Sequence, residues 1–262
     1  MTRPAAVAGT FYPARATRLA STVDSLLDAA RPADRPRGLR AVVVPHAGYT
    51  CSGPTAATAY VRVDPAVEKI VLLGPAHYVA LPGLAVPSTT AWTTPLGEVS
   101  IDEELCRLLE RTGRVVRDDR PHVDEHSIEV QLPFLQRVLR DGWTCLPVAV
   151  GAGPPELLAD CLDALPGAPD ALVVTSTDLS HYHDQDTAHR LDRRTCQAVL
   201  DRDPTAIGSA DACGADALRG LLAWTRRHDL AVELLDRSTS GDTCSDASRV
   251  VGYAAFAVTV AV

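Results

Sequence analysis

The sequence has few of the features that mark nucleic-acid or membrane proteins. Of its 25 basic residues only Lys69 is a lysine, and 33 acidic residues leave a formal charge of −8. Nucleic acids and anionic membranes would both require clustered basic residues. No apolar run approaches the length of a bilayer span, and the start lacks the apolar core of a signal peptide. We therefore expect a cytoplasmic protein with neither a nucleic-acid nor a membrane partner.

Paired cysteine motifs are also missing. Seven cysteines are dispersed along the chain without a CxxC pair, at positions 51, 106, 145, 161, 196, 213 and 244. This spacing excludes a zinc ribbon. In a cytoplasmic protein, an odd and scattered set predicts reduced thiols that serve mostly as small buried apolar residues.

The familiar local motifs of nucleotide-binding proteins and hydrolases are absent as well. There is no GxGxxG after a strand, no Walker A sequence, no HExxH and no GxSxG. No internal linker or shift in composition divides the chain, since segment 32–38 is short enough for an ordinary helix-to-strand loop. We expect one domain over residues 1–262, because 46% hydrophobic residues can bury a sizeable core.

Helical and extended patterns alternate along the chain. Strands are predicted at 40–44, 69–73 and 171–175, and helices at 16–30, 54–60, 184–201 and 213–227. Asp102 is expected to cap a helix, and residues 124–127 are expected to open an amphipathic helix. This order predicts an α/β fold with a mostly parallel or mixed central sheet and helices on both faces.

Three of the strand-like runs end in a loop that carries a histidine. His46 follows the run at 41–44, His77 follows the run at 70–73, and His181 follows the run at 171–174. In open α/β sheets, ligand sites form beyond the carboxyl ends of the strands. Imidazole is the commonest metal ligand and can move protons near neutral pH. The repetition favours a shared site, although each histidine alone could be a turn residue bonded to a carbonyl.

Other residues could complete such a site. Asp178 and His181 are close enough for a carboxylate–imidazole pair that fixes the tautomer, although Asp178 could instead cap a helix. His126 and Glu129 fall in the first turns of a predicted helix, where capping or surface roles are commoner. Cys244 lies in a polar loop and could add a thiolate to two imidazoles, or could simply be an unligated loop cysteine.

Six motifs, in register from residue 5 to the C-terminus, resemble the Memo (mediator of cell motility) family. They are AGTFYP at 8–13, PHAGY at 45–49, GPAH at 74–77, DEHSIE at 124–129, STDLSH at 176–181 and GYAA at 252–255. The resemblance implies a fold similar to that of the class III extradiol dioxygenases. Those non-haem iron enzymes hold Fe(II) with two histidines and a carboxylate.

The resemblance also implies roles for individual residues. It assigns His46, His77 and Cys244 as ligands of a mononuclear metal ion, with Asp178 and His181 beside the metal. His181 corresponds to the acid/base histidine of the dioxygenases, and His126 is a further candidate catalytic residue within its motif. The expected ion is Fe(II) or copper, with zinc as an alternative, because a thiolate favours softer metals. Prokaryotic relatives often accompany a radical-SAM protein, which implies a functional link to a redox pathway.

Three functions follow as hypotheses. The first is a mononuclear metal-dependent oxidoreductase, dioxygenase-like, that acts on an unknown small-molecule substrate. The second is a non-catalytic protein that binds a ligand or a phosphopeptide in the same cleft, as implied by the animal members of the family. The third is a zinc-dependent hydrolase, since two histidines, a cysteine and a water also suit zinc.

Overall fold

The structure, a computed structural model, describes residues 1–30, 38–165 and 171–261. Its strands are β1 Thr2–Arg3, β2 Leu39–Val44, β3 Lys69–Pro75, β4 Leu84–Val86, β5 Ala91–Thr94, β6 Gly97–Ser100, β7 Val115–Arg117, β8 Thr144–Val150, β9 Ala171–Ser176, β10 His181–His183, β11 Leu230–Thr239 and β12 Val250–Val260. Its α-helices are α1 Ala16–Ala29, α2 Tyr49–Tyr60, α3 Glu103–Arg111, α4 Leu132–Val138, α5 Pro155–Asp163, α6 Gln185–Leu200, α7 Ala215–Arg227 and α8 Ser240–Thr243. Two short 3₁₀ helices cover Glu129–Gln131 and Pro204–Ala206.

A nine-stranded mixed sheet forms the centre of the molecule. Its order is β10-β12-β2-β9-β3-β8-β4-β7, and the ninth strand, β11, also pairs with β12. The middle strands β2, β9, β3 and β8 run parallel, whereas β12 and β4 are antiparallel to their inner neighbours. A second, three-stranded sheet has the order β1-β5-β6. The α/β fold with a mixed central sheet is therefore confirmed.

The middle strands are covered on both faces. Residues 41–44 of β2 and all of β9 are buried, as is β3 after its first residue. Such continuous burial is typical of parallel strands with helices above and below them, and it explains their runs of valine and leucine. Because β2, β3 and β9 run in the same direction, the loops that follow them meet at one edge of the sheet.

Most elements predicted from the pattern are present, and their boundaries differ by a few residues. Helix α1 matches the prediction for 16–30, whereas segment 32–38 lies, except for its last residue, outside the described residues. Asp102 caps α3 as expected, because its Oδ1 accepts the N–H of Leu105 at 3.0 Å. Helix α2 starts at Tyr49, five residues before the predicted start. No helix in the described parts of the chain is both long and apolar enough to cross a bilayer.

The predicted helix at 124–138 is wrong in its first part. The Glu125 carboxylate accepts the backbone N–H groups of both His126 and Ser127, each at 2.9 Å. These two hydrogen bonds hold residues 124–128 in a loop, and the helix begins only with the 3₁₀ turn at Glu129. The loop bends back over the carboxyl end of β3, where it brings His126 toward the histidines of the other loops.

Candidate metal centre

His46, His77 and His126 converge at the carboxyl edge of the sheet. One ring nitrogen from each lies within 4.8 Å of the other two. The ring centroids are 5.2 Å apart for His46 and His77, 5.3 Å for His46 and His126, and 4.8 Å for His77 and His126. His46 and His77 therefore lie close together, as expected. The third member of the group is the imidazole of His126, where a cysteine thiolate was expected.

His46 is buried and its tautomer is fixed. Its Nδ1 lies 2.9 Å from the Oγ of Ser176, which donates its own hydrogen to the carbonyl of Ser127 at 2.6 Å. Because that hydroxyl has only one hydrogen, Nδ1 of His46 must be the donor, and Nε2 keeps its lone pair. Burial lowers the pKa of His46 well below its usual value, and charge on His126 and His77 lowers it further. A neutral ring with a free lone pair is the form that binds metals.

Glu125 holds His77 in place. Its Oε2 accepts the backbone N–H of His77 at 2.5 Å, and its Oε1 lies 2.9 Å from the ring Nδ1. Although burial acts to raise it, these hydrogen bonds and the charge of His77 lower the pKa of Glu125 to about 2. A carboxylate that accepts Nδ1–H leaves Nε2 for a metal ion, as in many carboxylate–histidine–metal arrangements.

His126 does not have the capping or surface role that its position in the sequence favoured. Its ring stacks on His77 with an interplanar angle of 15° and packs against Phe11 at 4.6 Å. Its Nδ1 is buried and lies 3.3 Å from Oε1 of Glu125, but this nitrogen has no hydrogen-bond partner among the described residues. Burial lowers the pKa of His126. This placement groups His126 with His46 and His77, and its catalytic role stays a prediction.

Glu129 is also buried, against expectation. Its carboxylate accepts hydrogen bonds from the guanidinium of Arg3 and the hydroxyl of Tyr12, both at 2.6 Å, and from the N–H groups of residues 6 and 7. The N-terminal segment is thereby bound to the helix turn that follows His126. The sequence places Arg3 and Glu129 far apart, and the contact could be found only in the fold.

Asp178 and His181 lie near the site but do not form the expected pair. The Oδ1 of Asp178 accepts the backbone N–H of His46 at 2.7 Å, whereas Nδ1 of His181 lies 2.8 Å from the carbonyl of Leu179. A carbonyl can only accept, so Leu179, and not Asp178, fixes the tautomer of His181 with a free Nε2. Burial raises the pKa of Asp178 to about 6, while the His46 N–H and the charge of His181 act in the opposite direction.

The prediction that Cys244 is a metal ligand is wrong for this structure. Cys244 forms a disulfide with Cys51, in the first turn of α2. A sulfur that is covalently bound to another sulfur is not a thiolate and offers no anionic ligand. The same bond overturns the expectation that these two cysteines are reduced. It links the loop after β11 to the segment that follows His46.

Cys213 is the sulfur that the sequence reasoning missed. It precedes Gly214, the N-cap residue of α7, and its Sγ lies 3.2 Å from Nε2 of His46. The backbone N–H of Asp178 donates to the same sulfur at 3.2 Å. Burial, and then the charge of Asp178, raises the pKa of Cys213 to about 12. No local motif surrounds Cys213, so only the approach of α7 to the carboxyl ends of the strands reveals it.

The three imidazoles fit a metal ion. Nitrogen atoms within 4.8 Å of one another place a central ion at most about 2.8 Å from each, and a contraction of under about 1 Å gives the usual metal–nitrogen distance of about 2.0–2.1 Å. A cavity of about 470 Å³ is lined by Ala76, which precedes His77, and by Cys213, which contacts His46. Its other walls are mostly apolar and include Leu81, Val150 and Ala217. The arrangement can therefore hold one ion next to space for a small molecule.

Sequence comparisons match this chain to a described family and to relatives from archaea and bacteria. Residues 3–257 match the family described as Memo-like protein. A MEMO1 family protein of Thermoplasma acidophilum is 34% identical, and the match covers 97% of both chains. MEMO1 family proteins of Methanopyrus kandleri and Aquifex aeolicus are 35% and 36% identical, over 97% and 96% of this chain and 98% and 97% of theirs.

Comparison with solved structures supports the fold. The crystal structure of an uncharacterized protein from Escherichia coli K12 superposes with a TM-score of 0.54 and 13% sequence identity. The match covers 82% of this chain and 99% of that one. At this identity the similarity concerns the arrangement of helices and strands, and it says nothing about ligands.

Proposed function

This chain belongs to the Memo-like protein family, and from that premise we propose that it is a mononuclear metal-dependent oxidoreductase whose ion is held by His46, His77 and His126. The observation that carries the proposal is the convergence of three ring nitrogens within 4.8 Å. They come from three separate loops, two of them at the ends of parallel strands, which is where open α/β sheets bind ligands.

The residues around the three histidines favour metal binding. Ser176 and Glu125 accept the Nδ1–H groups of His46 and His77, so both rings can direct Nε2 toward an ion without a change of tautomer. Burial lowers the pKa of His46 and of His126, so protons compete weakly for these nitrogens. Three protonated imidazoles this close together would repel one another. A metal cation bound between neutral rings would instead be stabilised by their nitrogen lone pairs.

The ligand set restricts the choice of ion. Imidazole suits iron, copper and zinc, whereas magnesium and calcium prefer oxygen donors. Three protein ligands leave at least one position for a substrate or dioxygen. When bound, the ion would supply Lewis acidity and, for iron or copper, a change of oxidation state at that position.

His181 is placed to move a proton. Its Nδ1–H donates to the Leu179 carbonyl, which leaves Nε2 as the proton-accepting atom. Its charge acts on both His46 and Asp178, so the ring is near the centre without being one of the three grouped histidines. Asp178 fixes the loop that carries His46 through its hydrogen bond to the His46 N–H. We assign His181 as the acid/base residue and Asp178 as a positioning residue.

A zinc-dependent hydrolase is the second candidate, and one observation favours it. Because Cys244 is bound in a disulfide, the remaining set of three histidines is one that also holds catalytic zinc with a water molecule. In that case His181 would accept a proton during hydrolysis, and no dioxygen would be consumed.

Metal analysis and oxygen uptake test the proposal together. The protein is purified without chelators, its iron, copper and zinc are measured by mass spectrometry, and oxygen uptake is recorded with catechols as probes. We expect about one ion per chain and its loss in a His46→Ala/His77→Ala variant. His183→Ala, which changes an exposed histidine, is the matched control. Equal metal content in all three proteins would overturn the proposal, and zinc with hydrolysis but no oxygen uptake would favour the second candidate.

A further inference from the structure

We propose that the groove between α6 and β11 binds a phosphate group, either as free phosphate or as part of a small phosphate monoester. A cavity of about 410 Å³ lies in this groove, and its lining residues are Asp186, His189, Arg190, Arg193 and Arg237. None of them lines the cavity beside the three histidines, so the groove is separate from the candidate metal centre. The inference therefore does not depend on the proposed function.

The fold concentrates basic side chains in this groove. His189, Arg190 and Arg193 follow one another on α6 at helical spacings of one, three and four residues, so Arg193 lies on the same side of the helix as the other two. Arg237 comes from β11, which packs against this helix. The whole chain has a formal charge of −8, so this local excess of positive charge opposes the overall balance. Like charges at close range repel one another, and a bound anion would relieve that repulsion.

The arginines of the groove have donors to spare. Elsewhere on the surface Arg227 donates to two carboxylates. Arg193 and Arg237, by contrast, form neither an ion pair nor a hydrogen bond with any residue that the structure describes. Arg190 donates only to the hydroxyl of Thr187, at 2.9 Å. Because each guanidinium carries five N–H donors, most of the donors around the cavity are available to a ligand.

The carboxylates near the groove do not neutralise it. Asp186 is exposed and forms no ion pair with an arginine in the described parts of the chain. Asp192 is buried, and its Oδ1 accepts the backbone N–H of Ser180 at 3.0 Å. Burial raises the pKa of Asp192, and the charges of Arg237 and His189 oppose that rise only in part. These two carboxylates leave an excess of positive charge over three guanidinium groups and one imidazole.

The arrangement of the guanidinium groups favours phosphate over a carboxylate. A carboxylate has one charge and two oxygens in one plane, which a single guanidinium can satisfy. A phosphate carries up to two charges and has at least three terminal oxygens that point in different directions, so it can accept from guanidinium groups on both α6 and β11. The cavity is of the size that small-molecule sites have, which leaves room for the organic part of a monoester.

Isothermal titration calorimetry at low ionic strength tests the inference, with sodium phosphate and glycerol 3-phosphate as probes. We expect one site per chain, and we expect Arg193→Gln and Arg237→Gln each to raise the dissociation constant by at least about 10-fold, because each removes charge-assisted hydrogen bonds. Arg194→Gln, which changes an exposed arginine of α6 that does not line the groove, is the matched control and should bind like the wild type. Tighter binding of glycerol 3-phosphate would assign the site to a monoester, and tighter binding of inorganic phosphate would assign it to the free ion.

A second pair of proteins excludes binding at the metal centre, since phosphate also binds metal ions. The His46→Ala/His77→Ala variant should bind phosphate as the wild type does. Loss of binding in that variant, with binding retained in both arginine variants, would overturn the inference. So would equal affinity in the wild type and both arginine variants, equal affinity for acetate and phosphate, or no binding by the wild-type protein. None of these results changes the metal content, so the proposed function is tested separately.

Discussion

Both carboxylate oxygens of Glu125 accept hydrogen bonds from His77, one from its backbone N–H at 2.5 Å and one from its ring Nδ1–H at 2.9 Å. The same carboxylate accepts the N–H groups of His126 and Ser127. One buried residue therefore sets the position of two of the three histidines. Side chains that orient metal-binding histidines in this way commonly have a large effect on metal affinity.

Replacement of Glu125 should weaken metal binding without removing a ligand. In Glu125→Gln the acceptor for the His77 Nδ1–H loses its charge, so the ring is held less firmly and is a poorer donor. We expect the metal dissociation constant to rise by about 10- to 100-fold. Competition with a coloured chelator measures this change. Asp124→Asn, which removes an exposed charge one residue away, is the control, and an equal effect of both substitutions would contradict the assigned role of Glu125.

Loss of the disulfide should reduce stability and leave metal content unchanged. The bond between Cys51 and Cys244 closes a loop with a sequence separation of 193 residues. Its removal should lower the free energy of unfolding by about 2–5 kcal/mol, as for other long-loop disulfides. Urea denaturation of the Cys51→Ser/Cys244→Ser protein measures the loss. A drop in metal stoichiometry in this variant would show that Cys244 takes part in metal binding after all.

Glu129→Gln should be strongly destabilising. Glu129 is fully buried, and its substitution by glutamine leaves the guanidinium of Arg3, 2.6 Å away, without an anionic partner in the interior. Breaking such a pair costs about 3–5 kcal/mol, because one charge remains buried and uncompensated. The exposed pair of Asp24 and Arg137 provides the control, since Asp24→Asn should cost less than about 1 kcal/mol. Similar midpoints of denaturation for the two variants would refute this assignment.

The metal-free protein should lose stability as the pH falls from about 6.5 to 4, in part because of His122. Burial lowers the pKa of His122 from 6.5 to about 4, and the charge of Arg3 adds to this effect. Between these values the unfolded chain binds a proton that the folded chain does not, so acidification favours unfolding, by up to about 1.4 kcal/mol per pH unit.

His122→Gln should flatten this dependence. Glutamine keeps a donor for the carbonyl of Ala85, which His122 Nε2 contacts at 3.2 Å, and it does not titrate. Thermal denaturation at several pH values measures the slope, and His183→Gln, at an exposed position, is the control. The same slope in wild type and His122→Gln would contradict the prediction. His122 is buried, and its ring packs against Trp92.

The sequence predicted the fold better than it predicted the site. Apolar runs such as 41–44 and 171–174 reveal buried parallel strands directly, because neither face of such a strand can accept polar residues. His46 and His77 could be predicted for the same reason, since each follows one of these strands. Their rings could be expected to lie close together because β2 and β3 run in the same direction, so the loops that follow them meet at one edge of the sheet.

The remaining parts of the site depend on contacts that no local pattern records. His126 reaches the site because the Glu125 carboxylate accepts the backbone N–H groups of His126 and Ser127. These bonds prevent the helix that the spacing of apolar residues predicted there. Cys213 and His46 are 167 residues apart in the sequence, and Cys51 and Cys244 are 193 apart. Which cysteine meets a histidine and which forms a disulfide is decided by the packing of α7 and α2 at the sheet edge. Residue type alone could not distinguish them.

Anomalous diffraction from a crystal of the metal-loaded protein tests the central claim most directly. Data collected on both sides of the absorption edge of iron, copper or zinc locate the bound element. We predict one anomalous peak within about 2.0–2.3 Å of a ring nitrogen of His46, His77 and His126. A peak at other residues, or no peak after loading with each metal, would contradict the account.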